Sequence, residues 1–349
     1  MNENINILCV DDIAEDKSNS RFKLVNLISR SNHDIDINIR HPNDLEEVFN
    51  EAKVFDLVII DYFLEKHAKN GTKFKHKGNA LIGLLREQFT GTPIYLISAD
   101  MPKCKGFIPS DNFENYVTDE WLADSELIKS EVLSHREIKE QTINNYDDLH
   151  SLLQTPEGSK EFIEKALPNQ IRRKISKSSS PYLSDNYDLN PKINILLSRW
   201  ITHELLLYPG ILYNSLHTAT LLGIDHDHFN QTLANDTDFN NAAIYKGVFK
   251  DSFEKLWWKD AIIEYLYSQP NAEDNMLGTI YESALKILKI SDENIAICHK
   301  CLEKGANTIA HITDYPEKEY SVHYSCSVQD TSSLPIPYFD PQRVLLEDK

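Results

Sequence analysis

The chain has 349 residues, enough for two or three domains. Its 41% hydrophobic and 26% charged residues are typical of a globular protein, and its formal net charge of −18 argues against a broad surface for nucleic acid or anionic membranes. The five cysteines do not indicate a secreted disulfide framework, and no segment has the pattern of a signal peptide or approaches the roughly 20 apolar residues of a membrane span, so we expect a cytoplasmic protein.

Three short apolar runs rich in β-branched residues, at 5–10, 56–60 and 93–98, predict buried strands. Helical patterns lie between the runs, and their ranges are 19–30, 43–53 and 79–88. Apolar strands that alternate with helices indicate a parallel sheet covered on both faces, with a crevice at the carboxyl ends of the strands. The predicted fold of this region is therefore α/β and doubly wound.

The composition becomes polar beyond about residue 134 and apolar again from 192. Residues 158–177 could form an amphipathic helix, and 177–191 has the composition of a linker. Leucine, isoleucine, tryptophan and tyrosine at helical spacing predict a mainly α-helical domain, followed by a small α+β tail with a strand-like segment at 319–328. The predicted divisions are 1–132, 133–191, 192–290 and 291–349.

Aspartates follow two of the predicted strands. Asp11 and Asp12 come after the first strand and Asp61 ends the second, so the topology brings them to one edge of the sheet. Three carboxylates there repel one another unless a hard cation such as Mg²⁺ neutralises them. Beside such an ion Asp61 could attack phosphorus, and the hydroxyl of Ser98, which ends the next strand, could donate to a phosphoryl oxygen.

The segments VDD (10–12), IIDYFL (59–64), LISAD (96–100) and NYVTDEWLADSEL (115–127) together resemble the receiver domain of bacterial response regulators. The resemblance covers residues 5 to about 130 and implies a flavodoxin-like fold with a five-stranded parallel sheet. It also implies Mg²⁺ bound by Asp11, Asp12, Asp61 and the backbone carbonyl of Phe63, a phosphoryl group accepted by Asp61 from a histidine kinase, and switch roles for Ser98 and Tyr116.

The sequence departs from this family in two places. Residues Lys66–Lys77 look like an insertion after the acceptor strand, and Asp119-Glu120 stands where the family has Lys-Pro. The family lysine pairs with the phosphoryl oxygens. Other lysines are candidates to replace it, namely Lys73, Lys75, Lys77, Lys103 and Lys105.

The tail contains two pairs of metal-binding side chains, Cys298 with Cys301 and His323 with Cys326. Brought together by a hairpin, the pairs would supply four tetrahedral ligands for a structural Zn²⁺. His299 and His311 are spare candidates. The alternatives are buried thiols with a strand histidine or, less in keeping with the sequence, a redox pair.

Three hypotheses follow. The first is a phosphorylated response-regulator-like protein with a protein-interaction or phosphate-sink output through the helical domain; its resemblance to receivers of antiviral defence operons extends to a role against phage. The second is a phosphorylation-independent adaptor built on a pseudo-receiver. The third is a metal-dependent enzyme in the C-terminal half that the receiver gates, although His203, His217, His226 and His228 have irregular spacing and are better explained as core histidines. Under the first hypothesis the protein is a phosphoacceptor rather than an enzyme, and a homodimer is left open.

Overall fold

The computed structural model describes residues 4–14, 16–51, 53–66, 68–69, 72–98, 113–141, 143–178, 190–276, 278–312, 318–329 and 344–345. The chain divides into two compact units. Unit 1 comprises 1–148 and 173–202, and unit 2 comprises 149–172 and 203–349. A boundary at residue 132, as the sequence suggests, would fall inside a helix, Ser125–Glu140.

The described strands are β1 Ile5–Val10, β2 Ile35–Arg40, β3 Leu57–Asp61, β4 Ala68–Lys69, β5 Thr72–Lys73, β6 Ile94–Ile97, β7 Asn115–Val117, β8 Leu212–Tyr213, β9 Trp257–Trp258, β10 Thr308–Ile312, β11 Lys318–Val322, β12 Val328–Gln329 and β13 Val344–Leu345. Unit 1 is built on a five-stranded sheet in the order β2-β1-β3-β6-β7. Every neighbouring pair in it is parallel. The predicted doubly wound sheet is confirmed, and its order is that of flavodoxin-like folds.

The pattern of side chains explains the order of the strands. The three central strands, β1, β3 and β6, are apolar and almost completely buried, because apolar layers cover both faces of the sheet. Strand β2 instead alternates apolar and polar residues, as an edge strand does, and the strand at the other edge, β7, is only three residues long.

The described α-helices are α1 Ser20–Ser31, α2 Leu45–Asn50, α3 Ile82–Gln88, α4 Asp119–Ala123, α5 Ser125–Glu140, α6 Tyr146–Leu153, α7 Lys160–Ala166, α8 Asn169–Ser178, α9 Asn190–Trp200, α10 Ser215–Leu221, α11 His226–Gln231, α12 Thr237–Ala243, α13 Lys259–Tyr267, α14 Ala272–Asn275 and α15 Ile280–Ile287. Within unit 1, α9 packs against α5 although 49 residues, 141–189, separate them in the chain. The single amphipathic helix predicted at 158–177 is two helices, α7 and α8, because Pro168 interrupts it.

Unit 2 is mainly helical, and a mixed four-stranded sheet in the order β11-β10-β13-β12 lies near its C-terminus. The predicted helical region and α+β tail are therefore present. The buried apolar cluster of this tail consists of small side chains, Ala296, Cys298, Ala306, Ala310 and Val322. Among the described residues, no helix combines the length and hydropathy that crossing a membrane requires.

Candidate functional site

The carboxyl ends of β1 and β3 bring three aspartates together, as the topology predicts. The two strands pair in register up to Val10 and Ile60, so Asp11 and Asp61 follow at the same level of the sheet. One oxygen from each of Asp11, Asp12 and Asp61 lies within 4.8 Å of the other two, and all three residues are buried. This group is called the acidic site.

A cation of the protein itself lies in the acidic site. Arg21, in the first turn of α1, donates from Nη1 to Asp11 Oδ2 and to Asp61 Oδ1, both at 2.8 Å. Its Nε donates to Asp119 Oδ1 at 2.7 Å. The side chain of Arg21 is only 11% exposed, so these are close charge pairs in a poorly solvated place. The acidic site is thus partly neutralised by a residue that the sequence analysis did not identify.

Burial raises the pKa of two of these carboxyls, those of Asp11 and Asp61. Burial, followed by the charge of Asp61, raises the pKa of Asp11 to about 6 against the opposing effect of Arg21. Burial also raises the pKa of Asp61, which Arg21 and the Phe63 amide counteract. Burial alone would lower the pKa of Arg21, but the two carboxylates raise it above its usual value, so Arg21 stays charged. With all three aspartates ionised, three negative charges face one positive charge, and the acidic site keeps a formal charge of −2.

The other positions implied by the family resemblance surround the acidic site. The amide of Phe63 donates to Asp61 Oδ2 at 2.8 Å, and the amide of Lys66 donates to Asp12 Oδ2 at 2.7 Å. Ser98 is fully buried directly after β6, and its amide donates to the carbonyl of Val117 in β7. These contacts orient the carboxylates; the roles of the Phe63 carbonyl and the Ser98 hydroxyl stay predictions.

Tyr116 lies on β7, the edge strand next to Ser98. Its ring packs edge to face against Phe113, with the ring centres 4.4 Å apart, and both rings belong to one apolar layer of the sheet. The predicted switch position is therefore at the margin of the core, where a rotation of the ring would change the surface beside β7.

The insertion after the acceptor strand begins and ends at the acidic site. It contains the short hairpin β4–β5, and it returns at Gly78, whose amide donates to the carbonyl of Tyr62 at 2.9 Å. A Cβ atom on Gly78 would lie 2.0 Å from the carbonyl oxygen of Asp61, so only glycine fits there. The residue at which the insertion ends is thus packed directly against the backbone of Asp61.

The insertion lysines are placed differently from Arg21. Lys77 Nζ lies 4.9 Å from the ring centre of Tyr62 and 3.3 Å from its hydroxyl, and Lys66 Nζ lies over Phe63. Lys75 is exposed, and no described contact joins it to the three aspartates. The structure does not describe the side chain of Lys73, and Lys103 and Lys105 lie outside the described residues. Arg21, by contrast, contacts the acidic site directly through Asp11 and Asp61.

A buried carboxylate links the sheet of unit 1 to α9. Glu114, which precedes β7, is 1% exposed and forms ion pairs with both Arg86 of α3 and Arg199 of α9. The Arg199 Nε donates to Glu114 Oε1 at 2.8 Å, and Glu114 Oε2 accepts from the amide of Ile94 at the start of β6. Arg199 therefore joins α9 to the strands that follow the acceptor.

Buried polar groups make a second link to α9. The Tyr95 hydroxyl lies 2.9 Å from His135 Nε2, and His135 Nδ1 lies 3.2 Å from the Ser198 hydroxyl. Burial, with a smaller contribution from Arg86, lowers the pKa of His135 to about 3, so the ring is neutral. Burial raises the pKa of the neighbouring Glu131 to about 7, although the indole of Trp121 donates to it.

Unit 2 contains the second group of side chains that could hold a metal, called the Cys/His cluster. Its members are Cys298, Cys301, His323 and Cys326. One donor atom from each member lies within 4.8 Å of the other three. Burial would raise the pKa of the Cys298 thiol, but the amides of Cys301, His323 and Lys300 lower it to about 7. The spare candidates lie elsewhere: His299 stacks on Tyr320, and His311 is buried in β10.

The histidines of the enzyme hypothesis do not form a metal group among the described residues. His217 Nδ1 lies 2.7 Å from Asn214 Oδ1, and His226 Nε2 lies 2.9 Å from the Ser215 hydroxyl. A cavity of about 510 Å³ in unit 2 is lined by lysines, acids and aromatic residues, without histidine or cysteine. These observations favour structural roles for the histidines.

Sequence reasoning missed Arg21, although a signal was present. A positive charge in the first turn of a helix opposes the helix dipole, and α1 has no acid there. Asp119 likewise places a negative charge where the family has a positive one. Together, the two anomalies indicate that the positive charge of the site has moved to Arg21 and that the acid at position 119 pairs with it. The structure contains this pair, Arg21 with Asp119.

Comparisons with known proteins match the N-terminal part of the chain. No protein-family model matches, and no curated protein matches. Among solved structures, an adenylate cyclase from Rhodopirellula baltica is 14% identical (TM-score 0.27) over 38% of this chain and 87% of that one. A sensor protein from Polaromonas sp. JS666 is 18% identical (TM-score 0.27) over 38% and 93%, and the receiver domain of the Francisella response regulator 1452 is 19% identical (TM-score 0.25) over 36% and 97%. Independently of these matches, the strand order of unit 1, β2-β1-β3-β6-β7, is that of flavodoxin-like folds.

Proposed function

We propose that this protein is a response-regulator-like signalling protein in which Asp61 accepts a phosphoryl group from a partner histidine kinase. The observation that carries this proposal is the acidic site itself: Asp61 is buried beside Asp11 and Asp12 at the carboxyl edge of a parallel sheet. Hard oxygen ligands and a residual charge of −2 suit one Mg²⁺, so the residues present fit the ion that the family resemblance implies.

In the proposed reaction, an Asp61 oxygen forms the O–P bond while the N–P bond to the donor histidine breaks. The imidazole nitrogen leaves with the electron pair and takes up a proton. Mg²⁺, held by Asp11, Asp12, Asp61 and the Phe63 carbonyl, would supply the positive charge that lets a phosphate dianion approach a carboxylate.

Arg21 takes the part of the missing family lysine in this proposal. Its Nη1 already lies 2.8 Å from Asp61 Oδ1, so a phosphoryl group on Asp61 would arrive beside a guanidinium. Its Nη2 has no hydrogen-bond partner among the described residues and is available to a phosphoryl oxygen. Asp119 then acts by orienting Arg21 through Nε.

The proposed output runs through α9 and the helical unit. Tyr116 lies in β7, two residues after Glu114, and Ser98 lies at the far end of the same strand pair, where its amide donates to Val117. The ion pair of Glu114 with Arg199 is one of the contacts between the receiver-like sheet and α9. A phosphoryl group sensed by Ser98 and Tyr116 would change this contact and so the surface offered to a protein partner. A role in antiviral defence is also part of the proposal and is supported by the resemblance to receivers of antiviral defence operons. A homodimer is a further part of the proposal.

The second candidate function, a phosphorylation-independent adaptor, is favoured by the same Arg21. A guanidinium that already bridges Asp11 and Asp61 can stabilise the fold without any bound ion. The two functions differ in whether the acidic site exchanges this internal contact for Mg²⁺ and a phosphoryl group.

The test uses the full chain with Mg²⁺ and beryllofluoride, a phosphoryl mimic. We expect the mimic to raise the melting temperature of the wild type, by about 2.7 kcal/mol of added stability at a hundredfold excess over Kd. Asp61→Asn should show no such shift. A matched control is Asp56→Asn, which makes the same chemical change just before β3, at the other end of the strand, where Asp56 pairs with Arg136.

Acetyl phosphate provides a chemical readout of the same site. The wild type and Asp56→Asn should gain one phosphate that hydroxylamine removes, as expected of an acyl phosphate, and Asp61→Asn should gain none. A wild type that neither binds the mimic nor becomes labelled would exclude the phosphoacceptor and leave the adaptor.

A further inference from the structure

We infer that the Cys/His cluster binds one Zn²⁺ in a closed, structural site. In a tetrahedron with zinc–sulfur bonds of about 2.3 Å the sulfur atoms lie about 3.8 Å apart. The four donor atoms of the cluster all lie within 4.8 Å of one another, so a small inward movement completes the coordination.

The backbone brings the donors together in two tight turns. Cys298 and Cys301 lie on a turn in which the Leu302 amide donates to the Cys298 carbonyl at 2.9 Å and Leu302 itself has a positive φ of 63°. His323 follows β11, and the Cys326 amide donates to the His323 carbonyl in the turn that comes next. Each turn thus presents two donors, the arrangement of zinc-binding turns.

A hydrogen bond joins the two turns at the cluster. The amide of His323 donates to Cys298 Sγ at 3.3 Å. Amide donors of this kind stabilise a thiolate, which is the form of cysteine that binds a metal. The second turn is therefore positioned by the first thiol rather than only by its own strand.

The tautomer of His323 suits a metal ligand. Its Nε2 lies 2.9 Å from the carbonyl oxygen of Lys304, which can only accept, so the ring proton belongs on Nε2. Nδ1 then carries a lone pair, and it lies 3.2 Å from Cys301 Sγ. A backbone carbonyl that fixes the second nitrogen is the usual support of a metal-binding histidine.

The small apolar core of the tail leaves room for a bound metal to contribute to its stability. Among the described residues, the buried apolar cluster of the tail has no aliphatic side chain larger than valine, so each of these side chains buries little apolar area. The segment before Cys298 is joined to the helical part of unit 2 by backbone hydrogen bonds, among them the amide of Ala296 on the Gly223 carbonyl and the amide of Asp225 on the Asn294 carbonyl. Four protein ligands also leave no open coordination position, which favours a structural ion over a hydrolytic one.

The test is metal analysis of the full-length protein purified without chelator under reducing conditions. We expect one zinc per chain, with its loss in Cys298→Ser and in Cys326→Ser. The matched control is His299→Ala, which removes a possible ligand from between the two cysteines but leaves the four donors intact, and which should keep its zinc.

Cobalt exchange keeps the inference testable if the serine variants do not fold. Wild-type protein stripped of metal and loaded with Co²⁺ should show the intense visible bands of a tetrahedral ion and thiolate-to-metal charge transfer. Weak bands of an octahedral ion, absence of zinc from the wild type, or a disulfide between two cluster cysteines in the purified reduced protein would each overturn the inference.

Discussion

The acidic site and the Cys/His cluster meet the same geometric condition, since each gathers metal-binding atoms within 4.8 Å, yet their chemistry differs. The acidic site has hard carboxylates, and a guanidinium of the protein already occupies part of it. The Cys/His cluster has soft thiols and an imidazole whose second nitrogen bonds a backbone carbonyl. Clustering of donor atoms alone therefore does not identify the metal. The carboxylates of the acidic site, which already contact Arg21, suit an ion that exchanges, and the thiols and imidazole of the Cys/His cluster suit an ion that stays bound.

The largest expected effect is loss of the permanent ion. Structural zinc contributes apparent binding energies of about 10–16 kcal/mol in small zinc-dependent folds. We expect Cys326→Ser to raise amide hydrogen exchange across residues 296–326 while beryllofluoride binding in unit 1 stays unchanged. Equal amide hydrogen exchange in the variant and the wild type would show that the Cys/His cluster holds no ion that stabilises the tail.

Removal of the internal cation should have the next largest effect. Arg21→Gln leaves Asp11 and Asp61 buried with no positive partner, which costs about 3–5 kcal/mol. Urea unfolding in the presence of EDTA measures that loss, and Mg²⁺ should recover more stability in the variant than in the wild type. Arg136→Gln is the control, because its partner Asp56 lies outside the acidic site. An Arg21→Gln variant as stable as the wild type without Mg²⁺ would show that the internal cation is unimportant.

Glu131 is a buried carboxyl that accepts a hydrogen bond from the indole of Trp121. Burial raises its pKa from 4.5 to about 7, so the folded state keeps a proton that the unfolded state loses. Stability from this group is complete below pH 4.5 and falls as the pH rises to 7, by about 3 kcal/mol in total. The free energy of unfolding of Glu131→Gln should lack this decline, so its difference from the wild type should change between pH 4.5 and 7.5. A constant difference would contradict the shift; the opposite slope from His135 is common to both proteins and cancels.

Moving the positive charge from position 21 to position 119 tests whether Arg21 replaces the lysine of the receiver family. Arg21→Gln should weaken beryllofluoride binding about tenfold, equivalent to about 1.4 kcal/mol. Adding Asp119→Lys restores the family's lysine and should recover most of that affinity, as titration calorimetry would show. Asp119→Lys in a background that keeps Arg21 should not improve binding, because it removes the carboxylate that orients the guanidinium.

The smallest expected effect concerns the insertion lysines. Lys77→Ala removes a cation–π contact with Tyr62 worth about 0.5–1 kcal/mol and should leave beryllofluoride affinity within twofold of the wild type. A larger loss of affinity would show that Lys77 of the insertion, rather than Arg21, contacts the phosphoryl oxygens.

The sequence was sufficient for the centre of the sheet and for its acidic edge. Strands β1, β3 and β6 are continuous apolar runs because both of their faces are covered, and the residues after them must meet at one edge. Strand β2 gave no comparable run, because an edge strand alternates its side chains and its IDINIR segment does so.

Other features depended on packing that no local pattern reveals. Arg21 reaches Asp61 across 40 residues and Asp119 across 98, and α9 returns to α5 from beyond residue 190. The spacing of the cysteines was visible in the chain, but the proton on His323 Nε2 followed only from the position of the Lys304 carbonyl. Local sequence thus predicted which donors exist, and tertiary contacts decided how they are paired.

The fit of Gly78 against the Asp61 backbone has a mechanical consequence. Both ends of the inserted hairpin are fastened beside the acceptor, one through the Lys66 amide on Asp12 and the other through the Gly78 amide on Tyr62. A force applied to the hairpin would therefore reach the peptide next to Asp61, and we expect a protein bound there to shift the position of this carboxylate.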